Sequence, residues 1–389
     1  MKAMTRFGVA TATALAVMGG GAGAASAFGG PGGPGGPSFG GGFGERAAPV
    51  FVQTDNTAGN QVVVYDSAAD GALTQAGVYN TGGLGGVLAG SVVDHLASQG
   101  SLAYDPTAGE LYAVNAGSNT ISVFAVFGDH LTLRQVIGSG GTFPVSIAIH
   151  NGLVYVLNAE NGGEVQGYVS FFGRLVALPG SGRALGLNPT EEPQFTHTPG
   201  QVAFSPDGRQ LIVTTKGNGS DIDVFAVAPF GRLSATPVVN SEPGAVPFAV
   251  SFDQEGHLIV ADAGTDALSD FALNPNGTLA PLDEVGTGQE ATCWVVATNG
   301  RFYSSNAASA SLTGFQSSDG GTQLTSLGDT PTDGGTVDAT VSGDGRFLYV
   351  QTGAAGIVDE FAISAGGALS KIGSVTVPGA IGGEGIVAG

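Results

Sequence analysis

Three side chains in this sequence are candidates for hydrolytic chemistry, because of their types and their positions. His197 could act as a general base that activates water, because imidazole exchanges protons near neutral pH. Lys216 could pair with a substrate carboxylate or phosphate, and Glu290 could serve as an alternative base. Gln201 lies four residues after His197 and is a candidate for ligand binding. Each of the three catalytic candidates could instead be a solvated or capping residue, so the elements around them matter.

Amide and carboxyl side chains recur where predicted strands end. Asn115, Asn158, Asp262 and Asn306 close the second strand of four repeats, and Asp55 has the same place in the first. Such residues cap strand ends through hydrogen bonds to neighbouring backbone. They would also surround a ligand in a funnel on that face. The first four are therefore candidates for ligand binding as well as for a structural role.

No metal or cofactor is predicted. No two His residues have a spacing typical of metal ligands. Asp262 and Asp266 lack the rest of a calcium loop, and the Gly-rich stretch 82–90 is not followed by the Lys-Ser/Thr of a phosphate loop. Cys293 is the only cysteine, which excludes an intrachain disulfide, and its strand-like surroundings favour a buried apolar role.

The elements that must position these residues repeat seven times. A short apolar strand with a Tyr, Phe or Ile anchor is followed 12–14 residues later by a strand with an aromatic anchor. The first anchors are Phe51, Tyr112, Tyr155, Ile212, Ile259, Tyr303 and Tyr349, and their partners are Tyr65, Phe124, Tyr168, Phe225, Phe271, Phe315 and Phe361. This period is typical of propeller blades. It predicts an all-β, seven-bladed β-propeller of four-stranded antiparallel blades over residues 47–389.

The ends and the long connections of the repeats carry further information. The first repeat lacks an inner strand before Phe51, and Gly383–Gly389 reads as an inner strand with nothing after it. We therefore expect the C-terminal strand to pair into the first blade and to close the ring. Two connections, Thr81–Ser98 and Pro179–Pro199, are long, and we expect both on the face that carries the loops between second and third strands. Binding sites usually lie on such loops.

The composition restricts the possible partners. The 389 residues include 12 Lys and Arg against 32 Asp and Glu, a formal charge of −20. This excess argues against nucleic acid and anionic membranes as partners. It favours solubility or the attraction of a cationic ligand. No stretch approaches the roughly 20 apolar residues of a membrane span, and we expect a monomer.

The N-terminus has the features of an export signal. Lys2 and Arg6 precede an apolar run at Val9–Met18, and Ala25-Ser26-Ala27 resembles a cleavage site. We predict a signal peptide at 1–27, a Gly/Pro-rich flexible linker at 28–46 and a secreted protein, either extracellular or periplasmic.

Three sequence stretches resemble a known family. Phe204–Arg209 (FSPDGR), Leu111–Asn119 (LYAVNAGSN) and Val154–Ala159 (VYVLNA) are similar to the YVTN-type repeats of the bacterial lactonase family of seven-bladed propellers. That family includes 6-phosphogluconolactonases and fungal carboxymuconate cyclases, and the resemblance covers residues 47–389. It implies His, Arg and Glu residues around the channel on the loop face, where the family's His-containing run matches His197–Gln201.

Two functions remain open from the sequence. The resemblance implies a lactone hydrolase or cycloisomerase that acts on a small sugar-acid-type lactone and uses His197, Lys216 and Glu290. The alternative is a non-catalytic exported propeller that binds a polymer, a peptide or a surface partner. The small number of cationic residues favours this alternative, because few are available to bind an anionic substrate.

Overall fold

A computed structural model of the protein describes residues 48–389. The predicted signal peptide (1–27) and linker (28–46) lie outside the described residues and stay predictions. Seven β-sheets follow one another along the described chain, which confirms the predicted propeller. Each has four antiparallel strands, and the third blade gains one short extra strand.

The strands have the following bounds in chain order. The first sixteen are β1 (Pro49–Gln53), β2 (Gln61–Ser67), β3 (Leu73–Asn80), β4 (Leu102–Asp105), β5 (Glu110–Asn115), β6 (Thr120–Phe127), β7 (His130–Gly138), β8 (Pro144–His150), β9 (Leu153–Asn158), β10 (Glu164–Phe171), β11 (Arg174–Ala177), β12 (Arg183–Ala184), β13 (Val202–Phe204), β14 (Gln210–Thr214), β15 (Asp221–Ala226) and β16 (Val238–Ser241). The other thirteen are β17 (Pro247–Phe252), β18 (Leu258–Asp262), β19 (Ala267–Leu273), β20 (Leu279–Gly286), β21 (Thr292–Thr298), β22 (Arg301–Asn306), β23 (Ser311–Ser318), β24 (Gln323–Pro331), β25 (Thr336–Val341), β26 (Phe347–Thr352), β27 (Ile357–Ile363), β28 (Leu369–Thr376) and β29 (Ile386–Ala388).

Helical structure is limited to single turns in the described chain. One α-helical turn, α1 (Gln194–His197), lies in the second long connection. Two 3₁₀ turns cover Ala116–Ser118 and Pro229–Gly231. No helix among residues 48–389 is long and apolar enough to cross a bilayer.

The paired anchors build the interfaces between blades. All fourteen are at most 5% exposed, because both faces of each sheet pack against a neighbouring blade. Five of the tyrosine anchors also donate hydrogen bonds across an interface, and two of these run from Tyr65 to the Thr376 carbonyl and from Tyr168 to the Gly138 carbonyl. The Tyr155 hydroxyl bonds to the Gly231 carbonyl at 2.6 Å, and Tyr303 and Tyr349 make the equivalent bonds to Gly367 and Gly71. The repeated aromatic therefore fixes the distance between blades as well as filling the core.

The ring closes as the incomplete repeats predicted. β29 pairs antiparallel with β1, with Val50 opposite Ala388 and Val52 opposite Ile386. The first blade thus takes its innermost strand from the C-terminus, and the order in that sheet is β29-β1-β2-β3. This pairing covers the inner edge of β1, which would otherwise expose unpaired backbone groups.

Candidate functional site

The alternation of strand direction divides the ring into two faces. The loop face carries the connections between blades and between the second and third strands of each blade. The turn face carries the hairpin turns between first and second and between third and fourth strands. His197, Lys216 and Glu290 all lie in segments of the loop face, as predicted from their positions in the repeat.

The first long connection enters the ring. Its residues 88–101, here called the plug segment, hydrogen-bond to widely separated blades. The bonds join Lys216 Nζ to the Ala97 carbonyl (2.6 Å), Trp294 Nε1 to the Ser98 carbonyl (2.6 Å), the Ile147 amide to the Gly100 carbonyl (2.8 Å) and the His95 amide to the Gly382 carbonyl (2.8 Å). Since these partners belong to blades 4, 6 and 3 and to the closing segment, the plug segment crosses the mouth of the central channel. A ligand entering from the loop face would have to displace it.

Carboxyl groups lie within and around the plug segment in the interior. The four that are at most 5% exposed are Asp55, Asp94, Asp338 and Glu384. Glu384 accepts a hydrogen bond from Ser98 Oγ at 2.8 Å, and Asp94 accepts one from the Ser98 amide at 3.1 Å. Burial raises the pKa of all four carboxyls above the usual range. Repulsion from Asp94 adds to this rise for the other three, whereas the Lys216 ammonium group opposes it for Asp94 itself. Burial therefore shifts the carboxyls that hold the plug segment toward their neutral forms.

Lys216 is the one ammonium group in this interior among the described residues. Its side chain is fully buried, and Nζ donates to the Ala97 carbonyl at 2.6 Å, the Phe195 carbonyl at 2.7 Å and Thr198 Oγ1 at 3.2 Å. Nζ also lies 5.1 Å from the centre of the Phe248 ring. Burial lowers the pKa of this ammonium group, and the Asp94 carboxylate opposes that shift. All three ammonium protons are used, so Lys216 joins the two long connections and does not face a substrate.

His197 ends α1 and has a partner that sets its tautomer. Its Nδ1 lies 3.0 Å from the Pro193 carbonyl and 2.9 Å from Thr196 Oγ1. Because a carbonyl can only accept, we assign the proton to Nδ1, which leaves a lone pair on Nε2. The Nε2 side of the ring faces Gly217, where an added Cβ would lie 3.3 Å from Nε2. A neutral imidazole held in this way has the tautomer of a general base.

A polar cleft surrounds His197 at the surface between blades 3 and 4. Its lining includes Glu160, Asn161, Asn188, Glu191 and Asn218. The free space in it is about 20 Å³, which is room for about one water molecule. Each of the three amide NH2 groups donates one hydrogen bond within the protein and has a second N–H, so the cleft brings together His197, donors and space for a water.

The other two catalytic candidates do not join His197. Lys216 is committed to the bonds described above, and Glu290 is exposed in the connection between blades 5 and 6. The Glu290 amide donates to Ser309 Oγ at 2.8 Å, and no hydrogen bond links any two of the three side chains within residues 48–389. Gln201 is buried, and its Oε1 accepts a hydrogen bond from the Val250 amide at 2.6 Å, which ties blade 4 to blade 5.

The residues at the strand ends are buried and bonded within the scaffold. Asn115 Nδ2 donates to Ser122 Oγ at 2.8 Å, and Asn306 Nδ2 donates to Thr313 Oγ1 at 2.9 Å. Asn158 bonds to the Ser139 carbonyl, and Asp262 accepts from Ser269 Oγ at 2.5 Å. Burial raises the pKa of Asp262 to about 7. These contacts are those of strand-end caps, and none of the four is more than 2% exposed.

Sequence reasoning missed the plug segment and the acids around it. Asp94 and Asp338 were not candidates, because each is a single acid in an otherwise unremarkable stretch. The available signal is apolar patterning in the first long connection, where Leu88, Val93 and Leu96 are spaced along a segment that would otherwise be exposed. No group of three or more His, Cys, Asp or Glu side chains in the described chain has a geometry suited to a metal ion.

Comparisons with known proteins agree with the fold. A proposed 6-phosphogluconolactonase of Bacteroides fragilis is 16% identical and has a TM-score of 0.67, and the match covers 91% of this chain and 99% of that one. A periplasmic gluconolactonase of Pseudomonas aeruginosa is 18% identical with a TM-score of 0.69, covering 88% and 98%. The chain has the fold of the 6-phosphogluconolactonase-like propellers. No family model and no curated protein sequence matches it.

Proposed function

We propose that the protein is an exported hydrolase of small sugar-acid-type lactones and that its reactive site is the His197 cleft. The observation that carries this proposal is the 3.0 Å distance between His197 Nδ1 and the Pro193 carbonyl, because it assigns the proton to Nδ1 and leaves Nε2 as the base. The polar donors around it and the space for one water support the same reading. The gluconolactonase names of two proteins with this fold supply the substrate class.

The reaction at this site would need only water and the lactone. His197 Nε2 takes a proton from the water in the cleft while the water oxygen forms a bond to the lactone carbonyl carbon. Amide groups such as that of Asn218 donate to the developing oxyanion. The ring C–O bond then breaks, and the leaving alkoxide takes the proton back from His197. The product is the open hydroxy acid. Lys216 acts as a positioning residue, because it bonds to Phe195 and Thr198 on either side of His197.

The test is a lactone panel that begins with glucono-δ-lactone, with spontaneous hydrolysis subtracted. We expect His197→Ala to lower kcat/KM by about 10²-fold or more, the usual contribution of a general base. His130→Ala is the matched control, because His130 is exposed on the turn face and bonds to the Tyr79 hydroxyl. Glu290→Gln should stay within about twofold of the unmodified protein, since Glu290 makes no contact with the cleft. Turnover that survives His197→Ala would remove the base from the proposal.

A second candidate is a binding propeller without catalysis. The plug segment favours it, because it covers the channel mouth where a ligand of this fold would be expected to enter. Export, in either case, is inferred from Lys2, Arg6 and the apolar run that follows them, and the periplasmic location of one protein with this fold supports it. Binding of a lactone without turnover, in a protein whose fold is intact, would favour the second candidate over the first.

A further inference from the structure

Two neighbouring blades carry an exposed phenylalanine where the other blades carry a turn residue. The position lies three residues before the first Leu of each fourth strand, or of the bridge that takes its place in blade 4; this Leu is buried or half-buried in every blade. In chain order it is occupied by Asp70, Gly128, Phe172, Phe230, Asn276, Gly321 and Gly366. Phe172 is 92% exposed and Phe230 is 91% exposed. Large apolar side chains this exposed contribute nothing to the core, and the same side chain has the same turn position in two adjacent blades.

The backbone at both positions is unfavourable for phenylalanine. Phe172 has φ of 50° and Phe230 has φ of 66°, a left-handed conformation that favours Gly, Asn or Asp. Both are followed by a Gly that also has positive φ. An Asn-Gly pair is the usual choice for such a hairpin turn. The phenylalanines therefore lower stability and raise exposed apolar area, and folding does not account for them.

Further aromatic and cationic groups extend these turns. Phe171 is 63% exposed and its ring centre lies 4.4 Å from that of Phe172, so the two form an exposed aromatic pair. Arg174 and Arg232 follow two residues after Phe172 and Phe230, so that both turns read Phe-Gly-Arg-Leu. Both arginines are exposed, and neither forms an ion pair within the described chain. Unpaired arginines are notable in a chain with a formal charge of −20.

We propose that the two Phe-Gly-Arg turns of blades 3 and 4 form a binding surface for an anionic polysaccharide. The aromatic rings offer flat apolar faces on which the C–H faces of sugar rings can pack. The guanidinium groups can pair with carboxylates of the sugar, which Arg binds through two parallel hydrogen bonds. The same turn in two adjacent blades suits a partner that presents the same anionic unit more than once. The surface lies on the turn face and is separate from the His197 cleft.

The probe is polygalacturonate, with neutral dextran as the comparison, in affinity electrophoresis and titration calorimetry of the full chain. We expect binding to polygalacturonate that weakens as salt is added, and little binding to dextran. The double variant Phe172→Asn with Phe230→Asn should weaken polygalacturonate binding at least tenfold, and Arg174→Gln with Arg232→Gln should do the same. Asn276→Ala with Thr278→Ala, the corresponding turn of blade 5, is the matched control and should leave binding unchanged.

The melting temperature distinguishes a binding role of these phenylalanines from a structural one. The Phe→Asn double variant should melt at a higher temperature than the unmodified protein while it loses polygalacturonate binding, because it relieves the left-handed phenylalanines. A lower melting temperature, equal binding of dextran or unchanged binding by the double variant would overturn the proposal. Binding to anionic lipid vesicles in place of polygalacturonate, or a dimer that the double variant abolishes, would overturn it as well, since each identifies another occupant. Lactone hydrolysis should be unaffected by these changes.

Discussion

The two long connections of this propeller both join the fourth strand of one blade to the first strand of the next, but one is buried in the ring and the other lies at the surface. Residues 88–101 of the first connection enter the ring, where Leu88, Leu96 and Ser98 are fully buried. Residues 178–199 stay mostly at the surface, where Asn188 and Glu191 are exposed, and the buried positions are Ser181 and the end around Thr198. Loop length therefore indicates only that a connection is irregular. Its apolar or polar residues decide whether it packs into the ring or stays at the surface and lines a cleft. Lys216 bonds to both connections, so the two are mechanically linked.

Removal of the closing strand should cause the largest difference in stability between the two connections. Deleting 383–389 removes β29 and also Glu384, which bonds to Ser98 of the plug segment. The first connection loses an anchor, whereas no hydrogen bond of the described chain joins 383–389 to residues 188–198. We expect the truncated chain to melt far below the full chain. In hydrogen exchange, residues 88–101 should lose protection before residues 194–198.

An unchanged melting temperature for the truncated chain would contradict ring closure by β29. A matched control is the deletion of Gly389 alone, whose amide bonds to the Pro49 carbonyl at 2.8 Å but which lies beyond the β29 pairing. This shorter truncation should cost about 1 kcal/mol, the contribution of one hydrogen bond.

Most of the fold could be predicted from the sequence because the blade pattern is local. Tyr155 and Tyr168 lie 13 residues apart in one hairpin, and that spacing follows from strand and turn lengths alone. Closure could be predicted from an incomplete repeat at each end. Which long connection enters the ring could not, because it depends on contacts between distant segments, such as Ser98 with Trp294.

The candidate site was predictable in part. His197 was found from its place before an inner strand, and the structure adds the carbonyl that sets its tautomer. Lys216 was expected to face a substrate, but the plug segment covers its ammonium group. No local sequence pattern around Lys216 predicts that contact. The strand-end residue Asn115 had two readings in sequence, and its bonds to Thr120 and Ser122 favour the structural one.

Replacement of Lys216 should loosen both connections together. Lys216→Ala leaves the Ala97 and Phe195 carbonyls without their donor and opens a cavity, so we expect a loss of about 4 kcal/mol in the free energy of unfolding. Chemical denaturation measures the loss, and hydrogen exchange should rise in residues 88–101 and 194–198 alike. Arg209→Ala is the control, because its side chain is 84% exposed and should cost no more than about 0.5 kcal/mol. A rise confined to one connection would break the proposed link.

Paired leucine substitutions compare the two connections directly. Leu96→Ala removes a fully buried side chain from the plug segment and should cost about 3 kcal/mol. Leu187→Ala removes a half-buried side chain from the surface connection and should cost about 1 kcal/mol. The same denaturation series serves both variants. Equal losses would mean that the first connection is no better packed than the second.

The smallest expected effect concerns the titration of Glu384 beside the plug segment. Burial raises the pKa of Glu384 in the folded state, so its stabilising contribution is complete below the unfolded pKa and is lost as pH rises through the folded pKa. Glu384→Gln removes the titrating group; its amide oxygen can still accept from the Ser101 amide, and its NH2 can donate to Ser98 Oγ, whose own proton can go to the Val145 carbonyl. Between pH 5 and 8, the free energy of unfolding of this variant should therefore fall less than that of the unmodified protein, with a difference on the order of 1 kcal/mol at pH 8. Parallel pH profiles of the two proteins would mean that Glu384 titrates alike in the folded and unfolded chains, and that the plug segment does not bury its charge.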